Sequence, residues 1–445
     1  MNGLQAGFAR VNATPMMGIG MRGYFSKRYA EGVLDELEIT ALALGCGDER
    51  ALLISMDICA IPRECAIAFK EHISETVSIP TENIYIHATH THTGPFLRKD
   101  TDDALEREYY QFVWRRMADV SRFALDDLKP ARMGWGIGSA PEIAFIRRYR
   151  MKDGSTQTNP GVNNPEIDAP IGTVDNRVSV LRFDRECGDH LVLVNFGVHP
   201  DVITGCRISA DWPGHLRREV ERAIASSHCV VFNGAQGDVN HIKVHPDHGP
   251  EENMSPSGRW QGYEHSRYMG RALAGTVMQV YDKVRSTEVS ALRCRQKTVS
   301  IPANVPAAKD LPEAHRIHEL YIAGRANELP YKGMMNVTVV AEAERMVALE
   351  HGPEAFDMDL SAVAIGDVVM VGIPGEPFTG IGKALKEAEG WSLVIPTCLT
   401  NGAHGYFPMK DAYDEGGYEA RSSRFKAGVA ELLIEEGKKL MSELL

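Results

Sequence analysis

The chain is predicted to be a layered α/β protein with mixed β-sheets flanked by helices. Short apolar runs of strand length alternate along it with longer stretches whose apolar residues recur at helical spacing. Five of the apolar runs stop in polar, glycine-containing loops, an arrangement that gathers functional groups at strand ends in layered α/β proteins. At 445 residues the chain has ample length to bury a core, and we expect a single catalytic domain over 1–445.

Residues 5–24 hold Ala-Thr-Pro and a glycine-rich run ending at Tyr24. The spacing is not Gly-x-Gly-x-x-Gly, which disfavours a dinucleotide loop, and the stretch is predicted to be a loop lying over a site. Strands are expected at 37–44 and 51–58, split by the turn Gly45-Cys46-Gly47-Asp48, with Asp57 at the end of the second. A helix follows over 62–77. Residues 83–95 then read Asn-Ile-Tyr-Ile-His-Ala-Thr-His-Thr-His-Thr-Gly-Pro, a strand by its alternation, stopped by Gly94-Pro95. Alternation puts His90 and His92 on one face and His87 on the other.

A long amphipathic helix is predicted over 103–128, with Tyr109, Tyr110, Phe112 and Trp114 as core rings. Arg147, Arg148 and Arg150 form the concentrated positive cluster, before a Gly/Asn/Pro-rich loop at 154–174. Such arginines are either a solvated run or a site facing an acidic group or a developing oxyanion. Strands at 178–183 and 191–196 come next, the second running into His199-Pro200-Asp201. A helix at 213–225 and a strand at 229–232 lead to Asn233 and on to Asp238, Asn240 and His241. Residues 245–258 read as a surface loop whose His245 and His248 are weighed, with His241, as holders of a second ion against plain solvation. Helices at 262–284, 311–325 and 338–350 alternate with a strand at 291–301. A hairpin at 360–365 and 368–373 ends in Pro374-Gly375-Glu376-Pro377, a strand at 392–399 opens towards His404 and Tyr406, and a helix from about Ser422 closes the chain.

Two or three histidines with a glutamate are the usual ligands of catalytic zinc, with a position left for water. His90 or His92, His199 and Glu376 supply that set if their loops converge. Glu376 has an alternative use as a helix cap, because a carboxylate is favourable at a helix N-terminus. No Gly-x-Ser-x-Gly elbow occurs, which disfavours a serine triad.

The formal charge of -12 argues against a nucleic-acid binder. No basic segment followed by an apolar run opens the sequence and no run is long enough to span a bilayer, so a cytoplasmic protein without stable membrane insertion is expected. The eight cysteines are scattered without a C-x-x-C pair, in keeping with free thiols.

Ala-Thr-His-Thr-His-Thr-Gly-Pro (88–95), Phe-Gly-Val-His-Pro (196–200), Asn-Gly-Ala-Gln-Gly-Asp-Val-Asn (233–240), Pro-Gly-Glu-Pro-Phe-Thr (374–379) and Tyr-Glu-Ala-Arg-Ser-Ser (418–423) resemble, in order, segments of the neutral/alkaline ceramidase family. So does the opening Gly-Phe-Ala-Arg-Val-Asn-Ala-Thr-Pro (7–15). The resemblance implies a zinc-dependent amidohydrolase acting on a small-molecule N-acyl substrate, with one Zn2+ on His90, His199, Glu376 and Tyr406. It also implies that His92, Arg147 and Tyr418 surround the substrate carbonyl. The family's Gly-Asp-Val-Ser-Pro reads Gly-Asp-Val-Asn-His here (237–241), leaving no serine nucleophile, and Ile146 stands where an asparagine is usual. Without the family's signal and C-terminal β-sandwich domain, a substrate more soluble than ceramide is expected. A metal-dependent esterase or lactonase and a non-catalytic ligand-binding homologue are the rival readings.

Overall fold

The computed structural model describes residues 3–244 and 260–445, so His245 and His248 lie outside the described residues. Twelve principal strands are β1 (Leu4–Asn12), β2 (Glu38–Cys46), β3 (Glu49–Met56), β4 (Ile84–Ala88), β5 (Lys129–Ser139), β6 (Arg177–Arg185), β7 (His190–Phe196), β8 (Ser227–Asn233), β9 (Leu292–Pro302), β10 (Ala355–Ile365), β11 (Val368–Gly372) and β12 (Leu393–Thr397). The principal helices are α1 (Arg63–Val77), α2 (Ala104–Asp126), α3 (Asp211–Ala223), α4 (Tyr263–Tyr281), α5 (Leu311–Ile322), α6 (Gly333–Leu349), α7 (Thr379–Leu385), α8 (Tyr418–Ser422) and α9 (Val429–Ser442).

An eight-stranded sheet has the order β8-β7-β6-β5-β1-β2-β3-β4, and a four-stranded sheet the order β9-β10-β11-β12. Alternate residues of each strand serve different layers, because successive side chains point to opposite faces. Leu42, Leu53, Leu181 and Leu193 of the large sheet meet Val363, Met370 and Ile395 of the small one in a shared core. The opposite face of the large sheet is covered through Ala41, Leu52 and Ile54 by α1 and α2, and through Val180, Val192 and Val231 by α3 and α4. Helices α7 and α9 cover the outer face of the small sheet.

Three pairs of neighbours are parallel: β3 with β4, β7 with β8, and β11 with β12. Parallel pairing brings the carboxyl ends of both partners to one edge, and the five polar loops foreseen from sequence follow β4, β7, β8, β11 and β12. The large sheet also curls until its two outermost strands meet at those ends. The Asn233 amide at the end of β8 donates to His87 Nε2 on β4 at 3.1 Å, and Ser55 Oγ on β3 donates to the Val231 carbonyl at 2.7 Å.

His87 is therefore a structural histidine. Its Nδ1 faces Ser55 Oγ at 3.1 Å while Nε2 accepts from a backbone amide, so a proton on Nε2 would confront an N–H. Burial, and then the charge of His90, pull it down to about 3. A histidine held neutral in the fold contributes stability that is full above its unfolded value near 6.5 and is lost as pH falls towards its folded value. We expect the melting temperature to fall between pH 6.5 and 4, and His87→Gln to flatten that slope, as checked by thermal melts across pH.

Several sequence expectations shift. The strand of 83–95 ends at Ala88, and His90 has a left-handed backbone, φ +79°, so alternation does not set the direction of His90 and His92. Residues 5–24 are not all loop, since β1 lies inside the large sheet. The loop of 154–174 contains short strands at Thr156–Thr158 and Ile167–Pro170. The closing helix begins at Val429, after the separate turn of α8. Strand β5 was not foreseen. Its glycines Gly136 and Gly138 lie flat against α4 and Gly134 against Val284 and Arg285 just beyond it; a Cβ on Gly136 would stand 2.4 Å from Val280, so the strand has no apolar row on that face.

Candidate metal centre

Three buried acceptors face one another where the loops after β4, β7 and β11 converge. His90 Nε2 lies 3.1 Å from His199 Nε2 and 3.3 Å from Glu376 Oε2, and His199 Nε2 lies 3.4 Å from the same oxygen. Both imidazoles point these nitrogens inward because the outer ones are taken: Nδ1 of His90 meets the Cys59 carbonyl at 2.6 Å, and Nδ1 of His199 meets that of Gln236 at 3.2 Å. A carbonyl only accepts, so each Nδ1 carries a proton and each Nε2 is the atom turned inward. Glu376 Oε2 is buried without a hydrogen bond. Such a triangle is repulsive unless a proton or a metal cation sits in it. Ligands about 2.0–2.2 Å from a tetrahedral ion lie roughly 3.3 Å from each other, which the three separations match.

The electrostatics agree. Burial opposes a charge on His90, but the neighbouring Glu376 outweighs it and carries the imidazole well above its usual value. Burial and the Arg147 guanidinium hold His199 well below it. Burial alone would raise the Glu376 carboxyl, yet His90, His199 and Arg147 hold it well below the carboxylate range. The centre is built for one positive charge among anions and lone pairs.

His92 takes a different place. Its Nε2 is 3.2 Å from His90 Nε2, and it belongs with Cys59 and His90 to a second group of potential ligand atoms that shares His90 with the group of His90, His199 and Glu376. Burial and then His90 bring His92 down to about 3, so it is neutral at neutral pH. Gly23 packs on its ring: with φ +115° and a virtual Cβ only 2.7 Å from His92 Cγ, no side chain fits there. Tyr24 stands edge-on to the ring at 5.2 Å and Arg28 Nη2 donates to the His92 carbonyl at 2.8 Å. The glycine-rich run thus lies over the site, as its composition led us to expect.

Glu376 and Tyr406 are direct partners in a short parallel ladder, Glu376–Pro377 with Tyr406–Phe407. The Tyr406 ring stacks against His199 at 6.4 Å, Arg147 lies 5.4 Å above it, and Tyr418 stands edge-on at 5.5 Å. Burial and Glu376 push both phenols up, so each is a neutral donor at neutral pH. Arg147 is buried with Nε donating to Glu419 Oε1 at 2.7 Å and Nη2 to the Gly237 carbonyl at 2.8 Å.

The helix-cap alternative for Glu376 does not hold: Asp238 takes that place at α7, accepting from the Thr379 amide at 2.7 Å and hydroxyl at 2.8 Å. His241 is buried 3.1 Å from Asp201, and no group of three metal-ligating side chains forms around it among the described residues.

Three supporting residues escaped the sequence reading. Glu419 fixes Arg147 and also accepts from Thr158 Oγ1 at 2.8 Å. Asn401 binds the edge of β4, its Oδ1 accepting from the Ile86 amide at 2.9 Å. Asn233 joins the ends of β4 and β7, its Nδ2 donating to the carbonyls of Thr89 (3.3 Å) and Val198 (3.2 Å) and its Oδ1 accepting from the Val198 amide at 3.3 Å. Both asparagines precede glycine, a pair that reads as a turn and conceals this role. Asn233→Ala leaves those buried groups unpaired and is expected to cost roughly 2–3 kcal/mol of stability, measured by denaturant unfolding.

Strand order, curl and loop positions can be compared with solved proteins. The crystal structure of neutral ceramidase from Pseudomonas aeruginosa superposes with a TM-score of 0.74, covering 99% of this chain and 74% of that one at 16% identity. The fold is that of neutral ceramidase. A second ceramidase, complexed with C2, gives a TM-score of 0.74 at 17% identity over 100% of this chain and 76% of its own. No protein-family model and no curated protein matches the chain. The ceramidase fold thus accounts for the whole described architecture.

Proposed function

We propose that the chain is a zinc-dependent hydrolase that cleaves an N-acyl amide, a ceramidase-like amidohydrolase acting on a substrate more soluble than ceramide. The observation that carries this reading is the buried triangle of His90, His199 and Glu376, whose three inward atoms stand at the spacing of tetrahedral ligands. Nitrogen and carboxylate donors suit zinc, and Tyr406 is the fourth ligand that the family resemblance implies. That both solved neighbours are named ceramidases favours an amide over an ester.

When bound, zinc supplies Lewis acidity that lowers the pKa of water and polarises a carbonyl. The protein's own groups do the rest. Arg147, locked by Glu419, and the neutral hydroxyl of Tyr418 donate to the oxygen that gains charge as water adds to the carbonyl carbon. His92 turns its Nε2 towards the cluster, 3.2 Å from His90 Nε2, where a neutral imidazole can take the proton of the attacking water. As the C–N bond breaks, that proton passes to the leaving amine and the acyl half departs as the acid.

Elemental analysis of the purified chain should find about one zinc per chain, with hydrolysis lost on chelation and restored by zinc. Matched N-acyl amide and ester substrates should show cleavage of the amide. A metal-free chain, or one that cleaves only esters, would overturn the proposal.

A further inference from the structure

The parallel pairing of β3 with β4 brings a second cluster of ligand atoms to the edge of the metal centre. Residues just beyond the two strands stay zipped together: the Thr89 amide donates to the Met56 carbonyl and the His90 amide to the Ile58 carbonyl, both at 2.9 Å. That pairing sets Cys59 beside His90. Cys59 Sγ lies 3.8 Å from His90 Nδ1, and one ligand atom from each of Cys59, His90 and His92 lies within 4.8 Å of the other two. All three residues are buried.

A buried free cysteine is ordinarily a small hydrophobe. That description fits Cys46, Cys65, Cys229 and Cys398, which belong to the hydrophobic clusters of the core. Cys59 belongs to no such cluster among the described residues, and its thiol faces an imidazole nitrogen instead. His92 brings a further ring nitrogen, Nδ1, that is buried without a hydrogen-bond partner. Its loop is fixed from outside, since Arg28 Nη2 donates to the His92 carbonyl at 2.8 Å.

On one tetrahedral ion, sulfur about 2.3 Å and nitrogen about 2.0–2.1 Å from the metal stand roughly 3.6 Å apart, close to the separation of Cys59 Sγ and His90 Nδ1. The donor set differs in kind from the first. His90, His199 and Glu376 offer nitrogen and oxygen, whereas a thiolate selects soft cations.

We infer that Cys59, His90 and His92 form a second, thiolate-bearing cation seat beside the first, which takes a soft ion such as cadmium and silences the centre by occupying His92. As the sulfur–metal bond forms, the thiol proton passes to water, and so does the Nδ1 proton that His90 gives to the Cys59 carbonyl. A neutral imidazole has one lone pair, and a cation on either nitrogen of His92 uses it. The seat stands without the hydrolase reading. Its effect on turnover rests on that reading, in which His92 takes the proton of water.

The test titrates cadmium into the zinc-loaded protein and follows the ultraviolet charge-transfer band of a cadmium-bound thiolate. The unmodified chain should develop the band up to about one cadmium per chain. Cys59→Ser should lose it, with cadmium affinity down at least about a hundredfold. No band in the unmodified chain, or a band retained in Cys59→Ser through another of the eight cysteines, would overturn the seat. Thermal melts identify a variant that fails to fold, and cadmium-soaked crystals of the unmodified protein then decide. An anomalous peak among Cys59 Sγ, His90 and His92 supports the seat; a peak only between His90, His199 and Glu376, or only at another cysteine, overturns it. Hydrolysis of an N-acyl amide is followed in the same titration. Turnover that falls in step with the band supports the silencing, and turnover unchanged at full occupancy overturns it. If the zinc-loaded chain cleaves no N-acyl amide, the hydrolase reading fails and the band still decides the seat.

Discussion

His199→Ala is expected to abolish both metal binding and hydrolysis. The imidazole is one of three groups closing the triangle, and its loss leaves His90, Glu376 and the proposed ligand Tyr406, a set with a single nitrogen that is expected to hold zinc far more weakly. Turnover should drop on the order of a thousandfold or more, about 4 kcal/mol of transition-state stabilisation. The fold should survive, because the His199 ring makes one hydrogen bond to the protein frame, to Gln236, while the end of β7 stays tied by Asn233. Circular dichroism and zinc content separate these outcomes: a native spectrum with the metal lost is the expected pair. Full zinc occupancy in the variant would show that His199 is not a ligand.

Tyr418→Phe is expected to lower kcat roughly a hundredfold while KM changes little, since the hydroxyl donates chiefly to the charge that appears in the transition state. The ring itself should stay in place, held edge-on by Phe25 at 6.3 Å and Tyr406 at 5.5 Å. Steady-state kinetics on an N-acyl amide measure this directly. An unchanged kcat would transfer the oxyanion contact to Arg147 alone.

Much of this arrangement could be read before any coordinates, for physical reasons that differ from element to element. The hairpin of β2 and β3 and helices α1 and α2 carry dense apolar periodicity, and Asp103 caps α2 by accepting from the Leu105 and Glu106 amides, so their limits were visible within a residue or two. Strand β5 was hidden because contact with α4 demands glycine where a pattern would need apolar residues. At the site, convergence of His90, His199 and Glu376 followed from the repeated strand-then-glycine pattern. The orientation of His90 did not, since it depends on the left-handed turn at His90 and on the Cys59 carbonyl that meets its Nδ1. Glu419 and Asn233 were silent in sequence because their roles consist entirely of contacts to distant residues. Asp57 is similar: at the end of β3 it forms a buried pair with Arg217, Nη1 to Oδ1 2.9 Å, and accepts from Thr89 Oγ1 at 3.3 Å, which braces the loop that carries His90. A buried pair of this kind is costly to break from one side, so its contribution is to hold geometry.

The reading of the centre assigns a cation to the space between three acceptors, and crystallography at the zinc absorption edge addresses that assignment directly. An anomalous peak about 2.0–2.2 Å from His90 Nε2, His199 Nε2 and a Glu376 oxygen, vanishing below the edge, is the expected result. Crystals of zinc-loaded protein that diffract well and show no peak there, or a peak elsewhere in the chain, would contradict it.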